Sequence, residues 1–375
     1  MTRRDFVRTI AAGAVTLGAG GSWAFAAPDE DKEWAFPFLG DLHIDQPDHH
    51  DMDWLAKDHP NDVSQVKNYC RITRDFTPKL LAVARQQAKE SSVPVPFILQ
   101  IGDLVEGLCG SEALATKQAN DALDLVRRSD FPAPFLFTKG NHDITGPGAV
   151  KVYDNVLVPF MAAQAAQEIR RAAFARQRDG VLIVFYDAYD RGSLDWFAEL
   201  MAKEKPRRLL FVIHPPVVPY NARSTWHVYS HPNQDRQRQR LLSLLGDARA
   251  VVLSGHLHKY SFLVRRTENG RFTQLAISSV AATADGKPRD LIEGVQGYTP
   301  DLVKLEPRHS PETEARRRQI LEEERRFIEH FEYADTWGHA LVKVRGGEVR
   351  AEVCRGLDRQ TWKSLDLTGP LDGMG

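Results

Sequence analysis

Five apolar runs, Trp34 to Leu39, Pro96 to Ile101, Pro134 to Thr138, Arg208 to Ile213 and Ala250 to Ser254, punctuate the chain. Each is nearly continuous in Val, Ile, Leu and Phe, without the polar alternation of a half-exposed strand. That pattern predicts strands covered on both faces, as in α/β proteins. Helical patterns lie between them, over Val66 to Lys89, Glu112 to Arg128, Gln164 to Arg178, Ser193 to Met201 and Gln237 to Leu245, with a further strand expected at Val181 to Tyr186. Beyond the fifth run the pattern alternates, predicting strands at Tyr260 to Arg265 and Thr273 to Ser278. A hairpin is expected from Ala340 to Val344 and Glu348 to Val353 around Gly346-Gly347. Ser310-Pro311-Glu312 reads as the start of a helix running to about Glu329, with Pro at its first position.

A short polar cluster follows each run: Gly40-Asp41-Leu42-His43, Gly102-Asp103-Leu104-Val105-Glu106, Gly140-Asn141-His142-Asp143, His214-Pro215-Pro216 and Gly255-His256-Leu257-His258. In open α/β sheets, ligands gather beyond the carboxyl ends of strands, where all five clusters stand. Their Asp, Asn and His side chains form the mixed oxygen and nitrogen set that holds two hydrolytic metal ions. The glycines let the backbone turn sharply as each strand ends.

Five blocks of this type, in this order, resemble the calcineurin-like metallophosphoesterases from about Phe36 to about Tyr260. The resemblance implies an α/β fold, a four-layer α-β-β-α sandwich with two mixed sheets. The metal site would lie at the C-terminal ends of the strands, and the tail hairpin would join the second sheet. It implies one metal on Asp41, His43, Asp103 and His258 and another on Asp103, Asn141, His214 and His256, with Asp103 bridging. The implied ions are two divalent or trivalent metals, Mn, Fe, Zn or Ni, since this ligand set serves several. The implied reaction is hydrolysis of a phosphomonoester or phosphodiester by metal-bound hydroxide. In it, His142 stays off the metals as general acid, and Glu106 stands where other members place an Asp that orients that histidine. His43 stands where purple acid phosphatases carry Gly, and Gly107 where protein serine/threonine phosphatases carry Arg; bacterial cyclic-nucleotide phosphodiesterases are nearest in block spelling. Two other readings use the same residues: a non-catalytic scaffold on this fold, and a dinuclear metallohydrolase acting on a substrate without phosphate.

Residues 1–26 have the layout of a twin-arginine signal peptide, with Arg3-Arg4 before an uncharged Ala- and Gly-rich stretch and Ala24-Phe25-Ala26 at its end. This predicts export by the twin-arginine machinery to the periplasm or medium. A single domain is expected over 27–375, elaborated by a helix and hairpin from about residue 300. No other segment is apolar and long enough to span a bilayer. The chain carries 49 basic and 50 acidic residues, so no electrostatic surface for nucleic acid is expected and a small phosphoester is the implied partner. Two loops are candidates for substrate contacts. Asp45 to Asp62, with His49, His50 and His59, reads as a polar surface loop; Tyr220 to Pro232 brings Arg223, Trp226, His227, Tyr229 and His231. Trp337 and His339 are weaker candidates. Cys70, Cys109 and Cys354 lack zinc-ribbon spacing and leave open one disulfide or three thiols.

Overall fold

The first apolar run forms β1 (Glu33–Leu39), which pairs in parallel with β2 (Ile98–Gln100); β2 pairs in parallel with β3 (Phe135–Phe137). The computed structural model describes residues 32–220, 226–302 and 313–373, so the proposed signal peptide, Arg223 and the Ser310-Pro311 helix start lie outside the described residues. On its other edge β1 pairs antiparallel with β12 (Gly338–Arg345), followed by β13 (Glu348–Arg355) and β14 (Thr361–Asp366). The six-stranded sheet thus runs β14-β13-β12-β1-β2-β3. Trp34 faces Val344 and Phe38 faces Ala340 in this register. The tail hairpin therefore belongs to the sheet of the first three strands, a correction to its expected place in the second.

That second sheet has eight strands: β4 (Phe174–Arg178), β5 (Val181–Tyr186), β6 (Arg208–Ile213), β7 (Val251–Ser254), β8 (Tyr260–Arg266), β9 (Arg271–Ala276), β10 (Arg289–Glu293) and β11 (Ile328–Asp335), ordered β10-β11-β8-β9-β7-β6-β5-β4. Both sheets mix parallel and antiparallel pairs. The described helices are α1 (Met52–Asp58), α2 (Val63–Asp75), α3 (Thr77–Glu90), α4 (Glu112–Arg128), α5 (Ala149–Val152), α6 (Val158–Ala165), α7 (Ser193–Lys203), α8 (Asp235–Asp247), α9 (Glu314–Arg325) and α10 (Gly369–Asp372).

Period-two alternation splits β5 between two cores. Val181, Ile183 and Phe185 pack in one cluster with residues of β1, β2, α3 and α4, whereas Leu182, Val184 and Tyr186 pack with Phe197 of α7 and Leu241 of α8. Both faces are covered, so the strand reads as an unbroken apolar run. Burial at about 25 cal/mol per Å² of apolar surface makes these two clusters the main stabilising term.

Three predicted elements differ. The helix expected from Val66 to Lys89 is two, because Pro78 cannot donate an N–H to a continuing ladder; α2 ends and α3 begins across Phe76, whose φ of −124° is not helical. Gln164 to Arg178, expected as helix, is the end of α6 followed by β4. There Ala166 closes the helix at φ 49°, and Asp179 and Gly180, at φ 47° and 78°, turn β4 back onto β5. An Asp-Gly pair with both φ positive matches the right-handed twist of a hairpin and outweighs the helical pattern. Finally, α9 ends at Arg325 and Ile328 already begins β11, paired with β8; within the described residues α9 is capped by the Thr313 side chain.

Helix α9 is fastened by a buried charge network. Glu324 accepts from Arg238 Nη2 at 2.5 Å and from Arg265 Nε at 2.8 Å, all three residues being buried. Burial alone would raise the Glu324 carboxyl, but the two guanidinium groups hold it down at about 2. Its stabilising contribution is therefore complete above the unfolded value of 4.5 and is lost as pH falls toward 2. Glu324→Ala should destabilise the protein by about 3–5 kcal/mol at pH 7. In denaturant titrations the gap to wild type should narrow between pH 4.5 and 2; a gap independent of pH would mean that the charge contributes nothing.

Candidate metal centre

The carboxyl ends of five strands, from both sheets, meet at one place. Asp41 and His43 follow β1, Asp103 and Glu106 follow β2, Asn141 and His142 follow β3, His214 follows β6, and His256 and His258 follow β7. A parallel bridge between Ile44 and Val105 and backbone bonds from Leu42 and His43 to the Asp103 carbonyl lock the first two segments together. Gly140 is required by close approach, since a Cβ there would overlap the Asp103 carboxylate; at Gly255 one would press on Ile101 and on the Asp41 carboxylate. His43, Asp103, His256 and His258 have φ of 44°, 52°, 71° and 52°. Left-handed backbone in non-glycine residues costs about 1–3 kcal/mol each and persists where the surroundings impose it.

The imidazole tautomers follow from the hydrogen bonds. His43 Nδ1 lies 2.7 Å from Glu106 Oε2, and His214 Nδ1 lies 2.8 Å from the Ile101 carbonyl. Donation from Nδ1 leaves each Nε2 as a lone pair facing inward. His43 Nε2 stands 3.0 Å from His258 Nε2 and 3.7 Å from Asp103 Oδ2. His214 Nε2 stands 3.0 Å from the same Asp103 oxygen, 3.2 Å from Asn141 Oδ1 and 3.2 Å from His256 Nδ1. Asp41 accepts from the His256 backbone N–H at 2.9 Å and stands 3.6 Å from His258 Nε2. Two groups, Asp41/His43/Asp103/His258 and Asp103/His214/His256, each gather their ligand atoms within 4.8 Å.

Buried acceptors converging with too few protons repel one another unless a cation lies among them. Burial works against charge on Asp103, yet His214, His142 and His43 hold its carboxyl well below the usual range. Burial works against charge on His214 too, but the Asp103 carboxylate drives its pKa up to about 9, a measure of how strongly this pocket favours positive charge. Burial, reinforced by His214, pushes His256 down to about 3, so that ring stays neutral as a ligand must. The donors are imidazole nitrogens, carboxylates and an amide oxygen, a set that fits borderline divalent metals. The residues present fit a dinuclear metal centre.

His142 lies beside these groups without joining them. Its Nδ1 is 2.8 Å from the Glu106 carbonyl and 3.2 Å from Glu106 Oε2, and its backbone N–H donates to Asp103 Oδ1 at 2.8 Å. Burial opposes its charge, but Glu106 and Asp103 raise its pKa well above the ordinary histidine value. Burial would raise Glu106, which His142 and His43 instead bring down to about 2.

An open cleft of about 1150 Å³ lies over the centre, and His227, Tyr229 and His231 line it. Tyr229 anchors its loop through a 2.5 Å bond to the Tyr186 hydroxyl, and His231 is exposed at the start of a short 3-10 turn. Of the first loop, His49 and His50 are buried and not on a polar surface. His50 Nε2 meets Asp45 at 2.7 Å, and Asp45 also receives the Gln118 amide at 2.8 Å and the Cys70 thiol at 3.3 Å, a satisfied hub beneath the site; His49 Nε2 pairs with Asp121 at 2.9 Å while its Nδ1 accepts the Gln46 N–H. Trp337 packs near Tyr69 and Ile72, and His339 bonds the Asp358 carbonyl, so neither belongs to the centre. All three cysteines are thiols.

Four residues at the site carried no signal that singled them out. Asp143 accepts from the N–H groups of Asp103, Val105 and Gly140 and so braces two blocks. Tyr69 stacks on His43 at 4.1 Å, Gln65 donates to Glu106 at 3.0 Å, and Tyr189 places its hydroxyl 3.5 Å from Asn141 Oδ1. Only Asp143 stood inside a recognisable block.

No curated protein sequence matches the chain. Among solved structures it is similar to PhoD, at 10% identity and a TM-score of 0.51, over 91% of this chain and 70% of that one. It is similar to a dimetal phosphatase from Danio rerio at 12% and 0.50, over 89% and 98%. It is also similar to GAP50, the anchor in the inner membrane complex of Plasmodium, at 12% and 0.50, over 90% and 89%. These likenesses show the fold. The model of the calcineurin-like phosphoesterase family matches residues 36–260, the segment that carries all five blocks, and the chain belongs to that family of metal-dependent phosphoester hydrolases.

Proposed function

We propose that the protein is an exported phosphoesterase. In this reading Asp41, His43, Asp103 and His258 hold one metal ion, and Asp103, Asn141, His214 and His256 hold the other. One observation carries the assignment: a single oxygen of Asp103 stands 3.0 Å from His214 and 3.7 Å from His43, within reach of both groups. Bound metals supply Lewis-acid charge to the phosphoryl oxygens and lower the pKa of coordinated water to about 7.

The chain's own residues do the rest. His142 Nδ1 is committed to Glu106, which leaves Nε2 as the proton donor available to a leaving oxygen in the cleft that His142 lines. Glu106 fixes the orientation of that ring. The seven ligand side chains would hold the ions, and because His and Asn are neutral only the two Asp carboxylates offset the ions' charge, leaving the centre positive toward a phosphoryl group. His227, Tyr229 and His231, which line the cleft, are proposed as substrate contacts, together with Arg223, which lies outside the described residues. The domain is taken as 27–375, elaborated from about 300. No helix among the described residues is long and apolar enough to cross a membrane, and export rests on the Arg3-Arg4 signal. The likeness to an anchor protein keeps a scaffold as the second reading.

Three outcomes test this. A chelator-stripped preparation should lose hydrolysis of nitrophenyl and bis-nitrophenyl phosphate and regain it with Mn²⁺, Zn²⁺, Fe²⁺ or Ni²⁺; inactivity with every ion would refute the phosphoesterase reading. His142→Ala should lower kcat by about 10²–10⁴ at unchanged metal content. The loss should be larger for alkyl than for nitrophenyl esters, whose leaving group needs no acid, and equal losses would remove His142 from that role. Lysine at both Arg3 and Arg4 should trap the precursor in the cytoplasm, and unimpaired export would refute the signal.

A further inference from the structure

Five large apolar side chains stand exposed among the described residues: Val150, Tyr189, Trp226, Leu291 and Val295. The two aromatic ones, Tyr189 at 37% and Trp226 at 39% exposure, both line the cleft over the metal centre. They also flank the same half of it. The Tyr189 hydroxyl is 3.5 Å from Asn141 Oδ1, and the Trp226 ring meets His256 edge-on at 5.9 Å. Asn141 and His256 converge on His214 Nε2, each at 3.2 Å.

Tyr189 is held in place. Asp187 takes the Tyr189 backbone N–H at 2.9 Å with one oxygen and the Lys139 ammonium at 2.6 Å with the other, and Lys139 directly precedes the Gly140-Asn141 block. Trp226 adjoins two buried residues, and the second of these, Val228, donates its N–H to the Pro216 carbonyl at 2.9 Å. These bonds hold the backbone that carries the two rings, which lowers the entropy lost when a ligand binds between them.

The charge of the cleft narrows the ligand. Among the described residues lining it, Lys259 is the one Lys or Arg, and it is buried in an ion pair with Asp335 at 2.5 Å. Asp62 also lines the cleft. Charge on the phosphoryl group is therefore left to the metal centre, and what the described wall offers an ester substituent is aromatic surface.

We propose that Tyr189 and Trp226 form a subsite for a planar ring on a phosphodiester, an aryl group or a nucleobase. This rests on the phosphoesterase reading above. His142, the proposed acid, lies at Glu106 and His43, the other half of the centre. The planar group is therefore the ester substituent that stays on phosphorus.

Two diesters with the same leaving group isolate that substituent: bis(4-nitrophenyl) phosphate and methyl 4-nitrophenyl phosphate. Their intrinsic reactivities differ, but the difference cancels when each variant is divided by wild type. Trp226→Leu and Tyr189→Leu should each lower kcat/KM for the aryl diester about 10-fold more than for the methyl diester, the scale of one lost ring stacking. Tyr189→Phe, which keeps the ring, should preserve the wild-type ratio. Equal losses on both diesters, or a ratio lost in Tyr189→Phe, would overturn the subsite. A protein that hydrolysed no phosphoester would refute the enzyme reading separately. The subsite would then be read by calorimetry on Mn²⁺-loaded protein with phenyl methylphosphonate and methyl methylphosphonate, where tighter phenyl binding that Trp226→Leu abolishes supports it and equal affinities overturn it.

Discussion

The structure depends on a ring of buried acceptors that cannot stay together as neutral chemistry. Lone pairs on His43 and His214 and the oxygens of Asp41, Asp103 and Asn141 are brought within about hydrogen-bond reach with few donors among them. Such an arrangement is costly in a low-dielectric interior unless positive charge occupies its middle. Left-handed backbone at His43, Asp103, His256 and His258 adds to that cost. The two large cores carry the opposite sign, and they hold the strand ends where the cluster forms. Ions held here would relieve a repulsion that the packing imposes, which would link metal binding to folding.

The sheets divide the work. The six-stranded sheet delivers Asp41, His43, Asp103 and Asn141 from parallel neighbours, and the eight-stranded sheet delivers His214, His256 and His258. The Ile101 carbonyl, at the end of β2, orients His214 from the other sheet, while Asp41 receives the His256 backbone N–H in return. The centre therefore lies at the seam between the layers, and neither sheet alone presents a complete set. The apolar cluster shared by both sheets, with Phe38 and Leu99 from one and Ile183 and Leu210 from the other, holds the layers in the register that these reciprocal bonds need.

How much of this was legible follows from the range of the interactions. The strand runs and the blocks behind them were visible because each is a local pattern: apolar continuity, a Gly, then the functional side chain. Glu112 to Arg128 was read to its ends because Ser111 caps it locally. The β4 strand was missed because Ala-rich 164–173 carries a helical pattern while the deciding signal was the Asp179-Gly180 turn beyond it. Partnership between β12 and β1 joins residues about 300 positions apart, and nothing local states which sheet a hairpin will choose. Tyr69, Gln65 and Tyr189 reach the site from a helix and a loop whose sequence carries no mark of it. His49 and His50 looked like surface because the carboxylates that meet them, Asp121 and Asp45, come together only once α2 and α4 pack beside the loop.

Position 106 shows how a departure from the family's usual spelling finds its reason in space. The longer Glu places one oxygen 2.7 Å from His43 Nδ1 and 3.2 Å from His142 Nδ1, while Gln65 secures the other oxygen at 3.0 Å. A single carboxylate thus fixes the tautomer of a proposed metal ligand and the direction of the proposed acid. Partners that orient a ligating histidine are part of a metal site's affinity. At Glu106 that support and the support of the proposed proton donor are one group, so one carboxylate orients both the His43 ring and the His142 ring.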